Sequence, residues 1–555
     1  MSIAEVVGRT LAAHGVKHVF GVVGSGNFHV TNAIVAAGAR FVPAAHEGGA
    51  ATMTDAYARV SGELGVLSVH QGPGVTNALT GITEAAKSRT RMIVLAPEAT
   101  APRSNFFIDL PAAASAVGAA FLRVRAEHAA ADVTAACRVA DGRTVVLGLP
   151  LDVQAAEAVP FEAVPALVTE TPAGVDGSAL ADALVAARRP VFIAGRGAVR
   201  SPGARAALTR LADRCGALLA ASAVAKGLFA GDPWNLDISG GFATPLAAEL
   251  IGASDLVVAW GSTLNMWTTR HGRLISSGTT VAQVDLDPAA LGVNRPVDLG
   301  VVGDVAATAD AVTAELARRG WPGAGSGQAG AGSAGIGWRS PDLARRIADE
   351  GRWRDVPYAD EGTDATIDPR TLSIALDDLL PAERTVVIDS GNFMGYPSMF
   401  LSVPDAAGFV FTQAFQSIGL GLAGALGAAV ARPDRLTVAA LGDGGALMSV
   451  AELETAVRLG LGLVVVVYDD EAYGAEVHHF GPDGHPLDTV RFPPADIAAI
   501  GRGFGCAAVT VRRPGDLAPL SEWLAGPRDR PFVVHAKVTA DRPSWWLEEA
   551  FRGHA

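Results

Sequence analysis

The chain has 555 residues, of which 49% are hydrophobic and 18% charged, enough for several domains with large apolar cores. The formal net charge of −13 and the lack of a basic cluster argue against nucleic acid and anionic membranes as partners. The sequence opens without a signal core, contains no apolar run of bilayer length, and has three cysteines in no metal-ligand spacing. We therefore expect a cytoplasmic protein with reduced thiols and no membrane partner.

Strand-like and helix-like runs alternate along the chain in three blocks. The first covers residues 1–155 and the second residues 176–318, after a linker-like stretch rich in Ala, Pro and Val. Residues 319–365, which include a Gly-rich tract, are predicted to be a linker, and the third block covers residues 366–545. This alternation predicts an α/β protein with three doubly wound parallel-sheet domains. The run "GRGAVRSPGA" in the second block is an incomplete dinucleotide-binding fingerprint.

The stretch "LGDGGALMSVAELETAVRLGLGLVVVVYDDEAYG", from Leu441 to Gly474, has the pattern of a strand, a glycine turn, a helix and a second strand. Ser449 and Glu452 fit the S-x-x-E capping box, which predicts a helix start near Val450. The continuous apolar run "LVVVVY" is typical of a buried parallel strand. A right-handed crossover would return this strand parallel to the first.

Carboxylates follow both strands of this unit. Asp443 lies in the glycine turn, and Asp469 and Asp470 end the second strand. Because open α/β sheets bind ligands at the carboxyl ends of their strands, we expect these acids to lie close together at such a site. Two carboxylates and a turn of backbone amides would suit a hard cation that holds a diphosphate. The alternative is two unrelated turns, in which Asp and Gly are ordinary residues.

This unit resembles the thiamin diphosphate motif, in which GDG is followed at a fixed interval by an Asn-Asn or Asn-Asp pair and Tyr-Gly. Asp443 and Asp470 are 27 residues apart, the interval of that motif, although Asp469 replaces the commoner Asn. Further segments resemble the same family in the same order: "HVFGVVGSGNF", "AAHEGGAATMTDAYARVSG", "SVHQGPGVTN" and "VAQVDLDPAALGVN". The resemblance implies pyrimidine-binding, central and diphosphate-binding domains, with thiamin diphosphate and Mg²⁺ as cofactors.

The resemblance also assigns the residues that bind these cofactors. Asp443, Asp470 and the carbonyl of Ala472 would hold Mg²⁺. Ile418 occupies the position of the bulky residue that props the cofactor in its bent form, a role compatible with ordinary core packing. The other cofactor contacts are expected from Gly391, Asn392, Gly442, Gly444, Gly445, Tyr473 and Gly474.

Glu47 matches the family's indispensable acid, which shares a proton with the pyrimidine ring of the cofactor. Apolar and small residues surround it in the sequence, and we expect burial to favour its neutral form. The alternative interpretation is a surface glutamate at the start of a helix.

A resemblance to benzoylformate decarboxylases assigns proton transfer at the substrate carboxylate to His70 and carboxylate binding to Ser25. The alternative for His70 is a turn histidine that caps a backbone carbonyl. One of the adjacent His478 and His479, which follow the metal loop, is expected to face the substrate, and we assign this role to His478. The residues that flank Ser25 and would shape the pocket are Asn27, Phe28 and His29.

The family chemistry implies decarboxylation of a 2-oxo acid, after which the enamine is protonated or attacks a carbonyl acceptor, as in acetolactate synthase-like enzymes. Two segments argue against FAD: "RSNFFIDLPAAA" lacks the Gln and Glu of acetohydroxyacid synthases, and "NLDISGGFATP" lacks their Gly-Met-His-Gly pattern. The alternatives are a thiamin-dependent C–C hydrolase or acyltransferase, and a non-catalytic cofactor-binding homologue. The family builds its active site between two chains, so a homodimer is the minimum and a homotetramer is expected.

Overall fold

The computed structural model describes residues 1–158, 175–321 and 337–551, which form three α/β domains. Each domain is built on a six-stranded sheet whose strand pairs are all parallel, so the predicted fold class is confirmed. Residues 159–174, most of the first predicted linker, and residues 322–336, about a third of the second, lie outside the described residues. None of the helices within the three described ranges is long and apolar enough to cross a membrane.

The sheet of the first domain has a reversal in its strand order. Its strands are β1 (His18–Gly21), β2 (Arg40–Pro43), β3 (Gly65–Ser68), β4 (Met92–Glu98), β5 (Ala120–Arg123) and β6 (Thr144–Pro150). Its helices are α1 (Ile3–Ala13), α2 (Phe28–Ala36), α3 (Glu47–Ser61), α4 (Pro73–Lys87), α5 (Leu110–Ala116), α6 (Ala129–Val139) and α7 (Leu151–Ala155). The strand order β2-β1-β3-β4-β6-β5 reverses direction between β1 and β3, which places a ligand crevice at the carboxyl ends of these two strands.

The central domain has the strand order β12-β11-β10-β7-β8-β9. Its strands are β7 (Pro190–Ala194), β8 (Leu218–Ala221), β9 (Asn235–Ile238), β10 (Leu256–Trp260), β11 (Thr280–Asp285) and β12 (Leu299–Val302). Its helices are α8 (Ser178–Ala186), α9 (Arg196–Arg200), α10 (Ala204–Cys215), α11 (Pro245–Gly252) and α12 (Val305–Arg318), followed by α13 (Pro341–Glu350) within the stretch assigned to the second linker. The glycines of "GRG" are used for close packing, because a Cβ on Gly197 would lie 2.6 Å from Cα of Gly261.

The third domain has the strand order β14-β13-β15-β16-β18-β17, which reverses between β13 and β15. Its strands are β13 (Arg384–Ile388), β14 (Phe409–Phe411), β15 (Leu436–Gly442), β16 (Val464–Asp469), β17 (Ala507–Val511) and β18 (Phe532–Lys537). Its helices are α14 (Pro369–Leu379), α15 (Gly395–Phe400), α16 (Gly421–Ala431), α17 (Asp443–Met448), α18 (Glu452–Arg458), α19 (Gly474–Phe480), α20 (Ile497–Gly503), α21 (Ala518–Ala525) and α22 (Trp545–Phe551). The run "LVVVVY" is a fully buried strand, as its continuous apolar pattern predicts.

The first and third domains of one chain pack closely through α3 and α16. The two helices approach so closely that a Cβ on Gly427 would lie 2.1 Å from the carbonyl oxygen of Met53. Residues of both domains, among them Ala56 and Leu426, belong to one apolar core. This contact fixes the start of α3 relative to the third domain.

The capping box predicted at Ser449 is wrong. Residues from Asp443 onward are already helical, and Ser449 ends α17, where its hydroxyl donates to the carbonyl of Gly445 at 3.1 Å. The next helix begins at Glu452, whose N–H donates to the backbone carbonyl of Ser449 rather than to its hydroxyl. The Glu452 carboxylate is unavailable for a local cap because it bonds to the first domain.

Candidate active site

The acids of the third domain converge at the reversal of its sheet. Asp443 follows β15 and opens α17, and Asp469 is the last residue of β16. These strands are neighbours, with Gly442 paired to Tyr468, so the turn after one lies beside the turn after the other. The expectation that the acids of the two turns lie close together is confirmed, since Asp470 and Asp469 both act on the pKa of Asp443.

The electrostatics of this group differ from one acid to the next. Burial, followed by repulsion from Asp470, raises the pKa of Asp443 to about 9, and burial and Asp469 raise that of Asp470 to about 7. Burial acts to raise the pKa of Asp469 too, but hydrogen bonds from His535 (2.5 Å) and Lys537 (2.7 Å) lower it to about 2. Asp469, which stands where the motif commonly has Asn, is thus paired within the protein.

Asp443 and Asp470 are therefore suited to an external cation. Their ionised forms repel each other in a buried place, and a divalent ion would stabilise both. Among the described residues, no group of three or more His, Cys, Asp or Glu side chains is placed to hold a metal ion. A site with two carboxylates, the carbonyl of Ala472 and oxygens supplied by a diphosphate fits this donor set.

Glycines keep the space around these acids open. A Cβ on Gly474 would lie 2.2 Å from Oδ2 of Asp470, and one on Gly444 would lie 2.6 Å from the ring of Tyr473. The loop that carries Ala472 is held by a backbone bond from Tyr473 to Val490 at 2.8 Å. The glycine turns fit a diphosphate cradle that side chains would fill.

Asp389 is an organising residue that the sequence interpretation missed. It is fully buried, and its carboxylate accepts backbone N–H bonds from Ser390 (2.8 Å), Gly419 (3.0 Å) and Leu420 (3.2 Å). One carboxylate thus fixes the turns that carry Gly391 and Ile418. Its place after β13 and before glycine is the same signal that identified Asp443 after β15.

We expect Asp389→Ala to weaken thiamin diphosphate binding about tenfold or more, because three buried or half-buried N–H groups lose their acceptor. Such groups cost about 1–3 kcal/mol each when unsatisfied, so the free energy of unfolding should also fall. Cofactor titration followed by intrinsic fluorescence, together with urea unfolding, would measure both effects. Ser390→Ala is the matched control, since it removes only a hydroxyl that donates to Gln413 and keeps the backbone donor. Equal cofactor affinity in Asp389→Ala and the wild type would contradict this role.

The C-terminal segment holds Asn392, a second feature that the sequence did not reveal. The N–H of Ser544 donates to Oδ1 of Asn392 at 3.0 Å, and the Ser544 hydroxyl donates to its carbonyl at 2.7 Å. The indole N–H of Trp546 donates to the same carbonyl at 2.8 Å. Asn392 also donates a side-chain hydrogen bond that lowers the pKa of Asp470, so the segment supports the metal turn indirectly.

Ile418 is half-buried in the turn between β14 and α16. The next residue, Gly419, has φ of 87°, and a Cβ there would lie 3.1 Å from Cβ of Met448. Ile418 thus lies near the Asp443 turn. Its propping role stays a prediction.

The first domain brings together Ser25, Glu47 and His70, which follow β1, β2 and β3 at the carboxyl edge of its sheet. Oγ of Ser25 lies 3.3 Å from Nε2 of His70, and Oε2 of Glu47 accepts from Asn77 at 3.1 Å. Gly74 separates the two titratable groups: a Cβ there would lie 3.0 Å from Cβ of His70 and 3.5 Å from Oε1 of Glu47. An acid, an imidazole and a hydroxyl therefore share one wall of the crevice.

The hydrogen bonds of His70 define its tautomer. Nδ1 lies 2.9 Å from the carbonyl of Gln71, which can only accept, so Nδ1 carries the proton. In the neutral ring, Nε2 is then free to accept from Ser25. The ring caps a carbonyl through one nitrogen, as the alternative interpretation of His70 expects, and faces Ser25 with the other, and its role in proton transfer stays a prediction. Phe106 packs edge-on against this ring at 5.3 Å between centroids, a contact that the sequence did not indicate.

The residues that flank Ser25 have separate roles. Asn27 is fully buried, and it accepts from the N–H of Gly24 at 2.8 Å and donates to Ser68 at 3.1 Å, so it shapes the loop rather than lining it. Phe28 is 54% exposed on α2, and His29 packs edge-on against its ring. The exposed face of Phe28 is available to a partner.

Glu47 is more exposed than its sequence setting predicts, and the substrate-facing role of His478 stays a prediction. Glu47 is half-exposed in the single chain, and the preceding Ala45 and His46 are exposed, so the apolar setting expected around the acid is not formed by this chain alone. Nε2 of His478 is buried without a hydrogen-bond partner in the described part of the chain, and burial lowers the pKa of this imidazole. The ring of His479 packs against Phe480 at 4.5 Å between centroids.

Within the described part of one chain, no hydrogen bond or ion pair joins Glu47 or His70 to Asp443 or Asp470. The chain thus presents two half-sites, one at the sheet reversal of the first domain and one at that of the third.

Comparisons with known proteins match all three domains. Residues 1–109 match the N-terminal TPP binding domain of thiamine pyrophosphate enzymes, residues 178–312 their central domain, and residues 389–536 their C-terminal TPP binding domain. A probable 2-ketoarginine decarboxylase of Pseudomonas aeruginosa is 30% identical, over 94% of this chain and 91% of that protein. A catabolic acetolactate synthase of Raoultella terrigena is 26% identical, over 96% and 94% of the two chains. A sulfoacetaldehyde acetyltransferase of Castellaniella defragrans is 28% identical, over 94% and 90%.

Proposed function

The chain belongs to the thiamine pyrophosphate enzyme family, and on that premise we propose that this thiamin diphosphate-dependent enzyme is a 2-oxo acid decarboxylase or carboligase. The observation that carries the proposal is the wall formed by Glu47, His70 and Ser25 in the crevice of the first domain. The cofactor, when bound, supplies an electron sink for the decarboxylation of 2-oxo acids. The protein residues provide binding, orientation and proton transfer.

The third domain would hold the charged end of the cofactor. Asp443, Asp470 and the carbonyl of Ala472 would bind Mg²⁺, and the glycine turns beside them would donate N–H bonds to the diphosphate. Mg²⁺ is supported by the carboxylates of Asp443 and Asp470: in the described part of the chain neither has an ion pair of the kind that Asp469 makes with Lys537.

The first domain would supply the acid–base groups. Asn77 occupies Oε2 of Glu47, which leaves Oε1 to exchange a proton with the pyrimidine ring. His70 can accept a proton at Nε2, and the Ser25 hydroxyl, which donates to Nε2 in the free enzyme, can turn to donate to a substrate carboxylate. A 2-oxo acid donor presents a carboxylate next to its reacting carbonyl group, and these residues can serve both groups.

Acyl transfer is the second candidate, and the similarity to sulfoacetaldehyde acetyltransferases favours it. In that reaction a donor such as sulfoacetaldehyde would break its carbon–sulfur bond, release sulfite, and pass the acyl unit to an acceptor such as phosphate, so that no oxidant is needed. Both candidates need the same cofactor site, and they differ in the donor and in the acceptor.

The assembly is proposed to be at least a homodimer, with a homotetramer expected. The two half-sites do not bond to each other within the described residues of one chain, and the aromatic rings of Phe28, Phe106 and Phe107 are exposed beside the first. Light scattering coupled to size exclusion would measure the mass of the assembly, and a monomer that turns over substrate would overturn this proposal.

The proposed function is tested by NMR detection of products from a panel of 2-oxo acids with small, aromatic and cationic side chains. Each is incubated with the enzyme, thiamin diphosphate and Mg²⁺, with and without carbonyl acceptors and inorganic phosphate. An aldehyde or acyloin from a 2-oxo acid would support decarboxylation or carboligation. An acyl phosphate formed from sulfoacetaldehyde and inorganic phosphate, with release of sulfite, would support acyl transfer. No product in any mixture would overturn the proposal for these donors.

We expect His70→Ala to lower kcat/KM by about 10²–10⁴, the range for loss of a general acid–base group. Cofactor affinity should change little, because His70 bonds to Ser25 and Gln71 rather than to the third domain. Initial rates over a range of substrate concentrations would measure the loss. His128→Ala, on the exposed surface of the same domain, is the control. Unchanged kcat/KM in His70→Ala would show that this imidazole has only its carbonyl-capping role.

A further inference from the structure

The carboxylate of Glu452 reaches out of the third domain and binds the backbone just before Glu47. Oε2 accepts from the N–H of Ala45 at 3.2 Å and Oε1 accepts from the N–H of His46 at 3.2 Å. Glu452 is 2% exposed, although both of the residues whose amides it binds are exposed. Glu452 therefore joins two parts of the chain that are 406 and 407 residues apart in sequence.

The first domain is shaped to receive this carboxylate. A Cβ on Gly49 would lie 2.1 Å from Oε1 of Glu452 and 2.8 Å from its carboxyl carbon, so only glycine leaves room for the group. The pKa of Glu452 is raised by burial, which Thr455 and the N–H groups of Ala45 and His46 partly offset. Burial of a carboxylate costs desolvation free energy, and the backbone N–H groups that bind it fix its position.

Glu47 is consequently fixed from two sides. Asn77 donates to its side chain from the first domain, while Glu452, from the third domain, binds the N–H groups of the two residues that precede Glu47. The tight packing of α3 on α16 keeps these contacts in register. A shift of about 1 Å in a proton-transfer group costs up to about 100-fold in rate.

We propose that Glu452 is a positioning residue that sets the place of the Glu47 carboxyl from the third domain of its own chain. The inference rests on the proposed role of Glu47 in proton exchange with the cofactor. Glu452 touches neither substrate nor cofactor in this role, and it acts through the backbone of Ala45 and His46.

The first test is hydrogen–deuterium exchange of peptides that cover residues 42–50, on the full chain without cofactor. Glu452→Ala should increase exchange of the two amides that its carboxylate binds, whereas Glu454→Ala should leave it unchanged. Glu454 is the matched control because it lies on the same helix, 50% exposed, paired with Arg458 at 3.1 Å. This readout does not depend on activity, so it stands even if no donor in the substrate panel is turned over.

The second test separates positioning from general stability. We expect Glu452→Ala to lower kcat about 10- to 100-fold while KM and the Kd for thiamin diphosphate with Mg²⁺ change less than about threefold. Glu452→Gln keeps one acceptor oxygen and the side-chain volume, so it should recover part of the loss. Gly49→Ala, which displaces the carboxylate without removing it, should reproduce the kcat defect and serves if Glu452→Ala does not fold.

A double-mutant cycle with Glu47 completes the test. If Glu452 acts through Glu47, then Glu452→Ala should have little further effect on the residual rate of Glu47→Gln, because the group being positioned is gone. Independent losses that multiply, or a wild-type kcat in Glu452→Ala with freely exchanging amides, would overturn the proposal. Wild-type inactivity across the substrate panel would instead count against the proposed function.

Discussion

Glu47→Gln is expected to lower turnover by about 10²–10⁴ while the protein folds and binds thiamin diphosphate with Mg²⁺ within about tenfold of the wild-type affinity. Glutamine keeps the volume of the side chain and an oxygen that can accept from Asn77, so the geometry of the site is preserved. It cannot exchange a proton, and the cofactor would lose its acid–base partner. Steady-state kinetics with the best donor of the panel, beside a cofactor titration, would measure both quantities.

The controls for this variant separate the acid from its surroundings. Asn77→Ala keeps the acid and removes its orienting donor, so we expect a smaller loss of about tenfold, in line with the value of one hydrogen bond to a charged group. Glu454→Ala should leave turnover unchanged, since this acid pairs with Arg458 on an exposed face. Full activity in Glu47→Gln would mean that another group exchanges the proton and would remove the chief argument for the proposed chemistry.

The sequence could predict the parts of the fold and site that are encoded locally. A continuous apolar run predicts a buried parallel strand, and glycine with aspartate after such a run indicates the carboxyl end of that strand, where ligands bind. Asp443 and Asp470 were found in this way, and the structure places them at adjacent strand ends. Asp389 carries the same signal after β13 and could have been found by applying the rule to every strand.

Contacts between distant segments could not be predicted, and they corrected a local interpretation. Ser449 and Glu452 satisfy the capping-box pattern, but the carboxylate makes two bonds to the first domain that no local pattern reveals. The hydrogen bonds from Ser544 and Trp546 to the carbonyl of Asn392 are also contacts between distant segments. A pattern of side-chain types fixes what a residue can bond, whereas the tertiary fold decides which partner it meets.

The carboxyl groups of Asp443 and Asp470 predict that the free energy of unfolding of the metal-free protein depends on pH. Both Asp443 and Asp470 have a folded-state pKa above the ordinary value of 3.8, at about 9 and about 7. Raised values mean that the folded state binds these protons more tightly than the unfolded state does, so the stability they contribute is present below pH 3.8 and is lost as pH rises through 7 and 9. The metal-free protein should therefore lose several kcal/mol of unfolding free energy between pH 5 and pH 9, since each pH unit over which the folded state keeps an extra proton costs about 1.4 kcal/mol.

Mg²⁺ with thiamin diphosphate should abolish most of this loss, because the ion binds the deprotonated carboxylates and removes the repulsion between them. Urea unfolding followed by tryptophan fluorescence, from pH 5 to pH 9 with and without Mg²⁺ and cofactor, would measure the difference. Asp470→Ala should flatten the pH dependence of the metal-free protein and weaken cofactor binding about 100-fold, because it removes a metal-binding oxygen, whereas Asp483→Ala, on the exposed surface nearby, should change neither. A metal-free protein whose stability is constant over this range would show that the two carboxylates do not share the buried environment that makes them a metal site.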